Sequence, residues 1–344
     1  MTNPTTTAVA RRPRYPLLYA LAGGGVAGVL IGFALTATAA VPGIVSPNTA
    51  VAVGLPLSRA VLDLAALVTV GMSFLPRFVA GHRRVEHVLA PARRIAVVSA
   101  AVWFVSALVS LVLEVADTNV GEPVTMAAVR EYVDTIASGQ ALVIVACCAL
   151  LYVVIGVLAV RKGEEVPAEL RITVAMFTLL PLPVTGHAAN GAVGWHDISL
   201  ISMELHVLGA VSWTGGLLAV LLLVAADRTL LADALPRFSA LATICVFVTA
   251  ATGLFNGWYE LYSTPDIRWY TALFTTGYGW ILIGKLVCVT AAGLLGGYTR
   301  FVLLPKIMRR QATAVLTWAT VEVAVLGTAF GLAAVLVRAP VVTG

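Results

Sequence analysis

Three of the five histidines in this 344-residue chain, His187, His196 and His206, fall within a stretch of twenty residues. His82 and His87 sit in a basic stretch and read as solvated. Met203 precedes His206 by three residues, so thioether and imidazole share one helix face with Ser199, Ser202, Gly209 and Trp213. Imidazole with thioether is a soft donor set, suited to Cu(I) and less to hard cations. Glu204 and Asp197 are placed to supply oxygen ligands or to tune an imidazole, although Cu(II) then stays open as well. The candidate metal ligands are therefore His187, His206, Met203, His196 and Glu204. A lone histidine at a helix end is more often structural. Two histidines on helices joined by a ten-residue connection must lie near each other, which favours the metal. Paired histidines on neighbouring helices also ligate haem, so a b-type cytochrome is the alternative. Against it, only one such transmembrane pair exists.

A second set of polar residues lies where the chain is otherwise apolar. Arg59 and Asp63 are four apart and form an intrahelical pair. Glu114 and Asp117 close one apolar segment, Glu260 closes another, Lys285 lies about two turns into the next, and Glu322 is deeper. Ionisable groups in membrane spans are costly, and they face a cavity or pair with one another. Arg59, Asp63, Lys285 and Glu322 thus read as a supporting polar network, either an ion-pair lattice that fixes helix packing or the lining of an outward-opening cavity. Pro181 and Pro183 precede His187 and should bend their helix, freeing carbonyls. Gly215 and Gly216 after Trp213 allow close approach of another helix.

The elements that must position these residues are membrane helices. Hydrophobic residues make up 60% of the chain and charged ones 11%, with a mean hydropathy of +0.95, too few charges to cover a soluble domain. Nine apolar segments stand out, near 16–38, 55–76, 95–116, 139–160, 170–189, 199–225, 238–261, 279–303 and 313–337. Unpaired backbone polar groups are not tolerated in lipid, so each must be a helix, and the fold class is all-α, a polytopic bundle of about nine spans. Of 22 Lys and Arg residues, seventeen fall in connections on one side and three (Arg130, Arg268, Arg338) on the other. The positive-inside rule then puts the N-terminus in the cytoplasm and the C-terminus outside. The basic clusters are topology markers, and the net charge of +5 does not point to nucleic acid. Arg11, Arg12 and Arg14 before an apolar stretch ending in Ala37-Thr38-Ala39 resemble a signal peptide. That stretch exceeds a usual signal core and is read as a first span.

The external connection 117–138 is acidic, and Val124, Ala128, Tyr132 and Ile136 give it a short amphipathic helix after Pro123. Tyr262, Trp269, Tyr270 and Tyr278 mark a membrane interface. Cys147, Cys148, Cys245 and Cys288 lie in apolar segments without a CxxC pair, as small hydrophobes rather than a disulfide framework. No nucleotide-binding motif is present, and no nucleophile–base arrangement of a conventional hydrolase emerges, so the chain reads as a transporter or metal-binding membrane protein.

The segment Leu205-His206-Val207-Leu208-Gly209-Ala210-Val211-Ser212-Trp213-Thr214-Gly215-Gly216-Leu217 resembles the LHxxxxxxWxGGL signature of the CopD copper-resistance family. Arg237-Phe238-Ser239 with Thr252-Gly253, Tyr278-Gly279 with Lys285, Gly186-His187-Ala188 and Glu322 agree with it. The resemblance covers residues 170–340 best. Residues 50–115 look like the membrane part of longer actinobacterial proteins that join a CopD-like half to a CtaG-like oxidase-assembly half. This implies a cytoplasmic tail (1–15), four N-terminal helices (16–165) and a five-span CopD-like core (166–340). It also implies copper import, or copper delivery for oxidase maturation, with His187 and His206 central and Lys285 and Glu322 supporting. Lipid, a periplasmic copper chaperone and a CtaG-like assembly factor are the implied partners. A non-catalytic assembly scaffold is the remaining alternative. With six methionines, the chain lacks the clusters that storage of several copper ions would need.

Overall fold

The computed structural model describes residues 16–36, 48–82, 85–185, 196–264, 267–309 and 315–339. Among them there is no strand, and nine helices are long and apolar enough to cross a membrane. They are α1 (Pro16–Thr36), α2 (Thr49–Phe78), α3 (Glu86–Thr118), α5 (Ala137–Lys162), the α6 segment (Ala168–Phe177 with a one-turn extension Leu182–Thr185), α7 (His196–Ala219), α8 (Arg228–Ser263), α10 (Gly277–Tyr298) and α12 (Val315–Leu336). Three short helices are not spans: α4 (Met126–Thr135), α9 (Trp269–Thr275) and α11 (Leu304–Met308). α4 and α9 lie at one end of the bundle, called here the loop face, and the basic connections lie at the other.

Several helices outrun their apolar windows because polar residues continue them. Asp227 caps α8 by accepting from the backbone N–H of Thr229 (2.9 Å) and Leu230 (3.1 Å), so that helix starts ten residues before the apolar run. α3 likewise begins at Glu86 and carries Arg93 into the protein. Arg93 is 4% exposed and Arg171, on α6, is 2% exposed. Both donate to Glu164, Arg93 at 2.8 Å and Arg171 at 3.3 Å, and Arg93 also pairs with Glu86. Two arginines read from sequence as topology markers are thus a buried ion-pair lattice joining α3, α5 and α6.

Glycine faces set the closest helix contacts. On α1 and α12, a Cβ at Gly24 or Gly28 would land on the carbonyls of Ala324 and Thr328, and one at Gly331 on the carbonyl of Gly25. Gly71 of α2 and Gly215 of α7 meet backbone to backbone in the same way. Small residues let membrane helices gain dispersion energy where no hydrophobic drive separates them from lipid. The Gly215 contact pins the basic-side half of α7 to α2, and Trp213 in that half is 3% exposed. α8 packs on α7 along both halves, against Gly216 through Phe238 and against Gly209 through Thr249.

The expected bend in the fifth span is a full break. α6 ends at Phe177, turns through 178–181 and resumes as a single 3-10 turn at Leu182–Thr185. Pro181 and Pro183 cannot donate to a helical ladder. Such irregular backbone is tolerated at membrane depth only when protein covers it, and Leu179 and Leu182 are each 1% exposed. The amphipathic helix expected in the 117–138 connection is α4, with Thr125 as its cap and Tyr132 as its buried residue.

Candidate metal centre

The loop-face half of α7 packs on α8 through its histidine. The His206 Nδ1 atom lies 3.0 Å from the carbonyl oxygen of Thr249 and 3.3 Å from the Thr252 hydroxyl. A carbonyl can only accept, and the Thr252 hydroxyl donates its own proton to Val248 O at 2.5 Å. Nδ1 must therefore carry the hydrogen and donate to both, which leaves the lone pair on Nε2. Metal-binding imidazoles are fixed in this way, with the second ring nitrogen donating to a backbone carbonyl. The ring lies over Gly253, where a Cβ would sit 2.9 Å from Cε1 and 3.2 Å from Nδ1.

Met203, one turn nearer the loop face, shares that side of α7. Its sulfur is 3.7 Å from the Asn256 side-chain nitrogen on α8. On these two helices, four buried oxygens have no hydrogen-bond partner among the described residues: Ser202 Oγ, Thr249 Oγ1, Asn256 Oδ1 and Tyr259 OH. Orphaned polar atoms are expensive in an apolar medium, and several together mark a place built for something polar to occupy. Thr249, Asn256 and Tyr259 were not singled out from sequence. Their signal is the seven-residue spacing of Thr249 and Asn256, two polar groups on one face of an apolar helix.

On α2, Arg59 Nε is 3.2 and 3.3 Å from the two Asp63 oxygens, and its Nη1 donates to the Thr185 hydroxyl at the broken end of α6. Lys285 of α10 makes no hydrogen bond or ion pair within 4 Å among the described residues, but lies in electrostatic range of both Asp63 and His206. The Arg59–Asp63–Thr185 cluster on α2 and α6 and the His206–Met203 pair on the α7–α8 seam thus lie at a similar depth, about 10–20 Å below the loop-face helix ends.

The structure does not bring every candidate to this region. Glu204 is two residues from His206, some 200° around the helix, and no hydrogen bond joins it to the pair. Glu322 faces Gly296 of α10, eleven residues and roughly 16 Å inward of Lys285. His187 lies outside the described residues, two positions past Thr185. His196 is the first residue of α7, and its side chain is likewise not described. Among the described residues no group of three or more His, Cys, Asp or Glu converges. All four cysteines are free.

Residues 48–195 match the copper resistance protein D-like N-terminal domain, and residues 232–336 match copper resistance protein D. Both matches are to copper resistance protein D models, and together they take in most of the chain. The first match contains Arg59, Asp63, Thr185 and His187, and the second contains Thr249, Asn256, Lys285 and Glu322. The signature-like segment 205–217 lies between them. The chain is 30% identical over 165 residues to the copper transport protein CutJ of Bacillus subtilis (strain 168). That alignment covers 46% of this chain and 29% of the relative, so the chain matches less than a third of the relative's length. No solved structure matches the chain.

Proposed function

We propose that this multi-pass membrane protein binds copper at the α7–α8 seam, through His206 Nε2 and Met203 Sδ, and moves it across or hands it on at a bacterial cytoplasmic membrane. The observation that carries the reading is the Nδ1 hydrogen bond to Thr249, which presents an unprotonated nitrogen beside a thioether on the same helix face. Imidazole and thioether together favour Cu(I) over hard cations. The matches to copper resistance protein D models and to a relative named a copper transport protein support copper as the metal.

The chain is read with seventeen basic residues inside and three outside, which puts α4, α9 and the candidate site toward the exterior. Copper is then cargo arriving from outside. His187, at the exit of the broken fifth span, completes the ligand set as a third donor. Broken helix ends buried at membrane depth recur beside transporter sites because their carbonyls and side chains are free to bind. Arg59, Asp63 and Lys285 order the wall opposite α8, and the acidic 117–138 connection is the docking place for a copper chaperone.

The test is elemental analysis of purified protein after copper exposure, for the wild type, His206→Ala and His187→Ala. Copper in the wild type that is lost in both variants supports the reading. Copper retained by His206→Ala refutes it. Iron in place of copper would indicate the haem alternative.

A further inference from the structure

Glu322 stands apart from the copper region. It is 2% exposed and sits seven residues into α12, about 10 Å from the helix end on the basic side and well inside the hydrocarbon thickness. Its Oε1 comes within 3.2 Å of where a Cβ on Gly296 would lie, so the absence of a side chain at Gly296 makes room for the carboxyl. Three residues on, and so near the same face, the buried hydroxyl of Thr299 has no hydrogen-bond partner among the described residues. Thr299 opens a π-helical turn (Thr299–Leu303), a distortion often found at functional sites in membrane and soluble helices alike.

No described group neutralises this carboxyl. On α1 the titratable side chain is Tyr19, which is 75% exposed. On α2, Arg59 and Asp63 hold each other near the loop face, and Arg77 pairs with Glu169. On α7, His206 is bonded to α8, while Asp197 and Glu204 lie nearer the loop face. On α10, Tyr278, Lys285 and Cys288 are all two or more turns outward of Gly296, and the Tyr298 ring packs on Trp318 at 5.1 Å. Arg300 reaches the other way, to Ser239 at 3.1 Å and to Thr243 on α8. An ionised carboxylate at this depth would need a partner cation, and none is described beside Glu322.

We propose that Glu322, with the Thr299 hydroxyl, is a proton-binding site on the inner half of the α10–α12 seam, separate from the copper ligands. A carboxyl that can take up and release a proton there gives a transporter a means to exchange a proton for its cargo. That last step rests on the copper reading, and the proton site itself does not.

Dicyclohexylcarbodiimide reacts with protonated carboxyls in apolar surroundings, and the adduct is located by mass spectrometry of peptides from the intact protein in detergent. The expected result is an adduct on Glu322 that is lost in Glu322→Gln and declines as the pH is raised. A water-soluble carbodiimide should label the exposed Glu131 and Asp134 instead. No adduct on Glu322 while those surface groups react, or labelling that does not change with pH, overturns the proposal. Because the key measurement is made on the wild type, a poorly folding Glu322→Gln variant does not decide it. Copper stoichiometry measured on the same samples separates failure of the proton site from failure of the copper site.

Discussion

Replacing Gly253 by alanine should weaken copper binding at the proposed site without replacing a ligand. The added Cβ would lie 2.9 Å from His206 Cε1 and 3.2 Å from Nδ1, against about 3.4 Å or more for an ordinary contact. The imidazole must therefore move by about half an ångström, away from α8 and from the Thr249 carbonyl that fixes its tautomer. Overpacking of this kind costs about 1–3 kcal/mol. Loss of the Nδ1 hydrogen bond adds about 0.5–1.5 kcal/mol. Against this stands a gain of at most about 1 kcal/mol from the better helix propensity of alanine. The net is a loss, and removal of the partner that orients a ligating histidine lowers metal affinity about 10- to 100-fold. Gly293→Ala is the control, because a Cβ there meets nothing within 4 Å and only the propensity term operates. Copper affinity is read by competition with a chelator on both purified variants. A Gly253→Ala protein that binds copper as tightly as Gly293→Ala would refute the argument that α8 holds the His206 ring in its ligating form.

Glu164→Gln should cost about 2–3 kcal/mol in thermal or denaturant unfolding, because it strips two buried guanidiniums of a shared partner, with copper affinity unchanged; the figure sits below the usual loss for a broken buried pair because the Glu164 side chain is 43% exposed. Gly331→Val should separate α12 from α1, whose backbone it would strike, and lower the melting temperature, while Gly23→Val, facing open space, should leave that packing intact. Burial, with a further push from Glu114 and against a hydrogen bond from Ser138, holds the Tyr132 hydroxyl above the ordinary tyrosine value of 10.0. Its contribution to holding α4 is therefore complete below that value and is lost as the pH rises through the folded one, so hydrogen exchange of α4 should quicken at high pH in the wild type and not in Tyr132→Phe.

The nine spans were legible because bilayer thickness fixes both their length and their composition, and each apolar window lies at or near a helix of the structure. Their ends were less so. α3 and α8 continue through Arg93 and Arg237 because a helix needs only a cap and adequate propensity, not an apolar residue at every position. The Arg59–Asp63 pair followed from four-residue spacing and is present as an ion pair of 3.2 Å. Spacing also joined Met203 to His206, yet it could not show that α8 covers them. Which helix packs on which face is set by glycine contacts such as Gly209 on Thr249 and Gly71 on Gly215, and those belong to three dimensions. The greater depth of Glu322 was legible from its position in the ninth span, but not that it faces Gly296 of α10. Arg93 and Arg171 entered the charge count as loop residues, and the count was blind to their burial around Glu164.

The most direct test of the copper site is X-ray absorption at the copper edge on the loaded protein, wild type beside Met203→Leu. The account predicts nitrogen and sulfur scatterers in the wild type, with sulfur lost and nitrogen kept when the thioether is replaced by a side chain of similar volume. A copper environment of nitrogen and oxygen alone, unchanged by Met203→Leu, would contradict it.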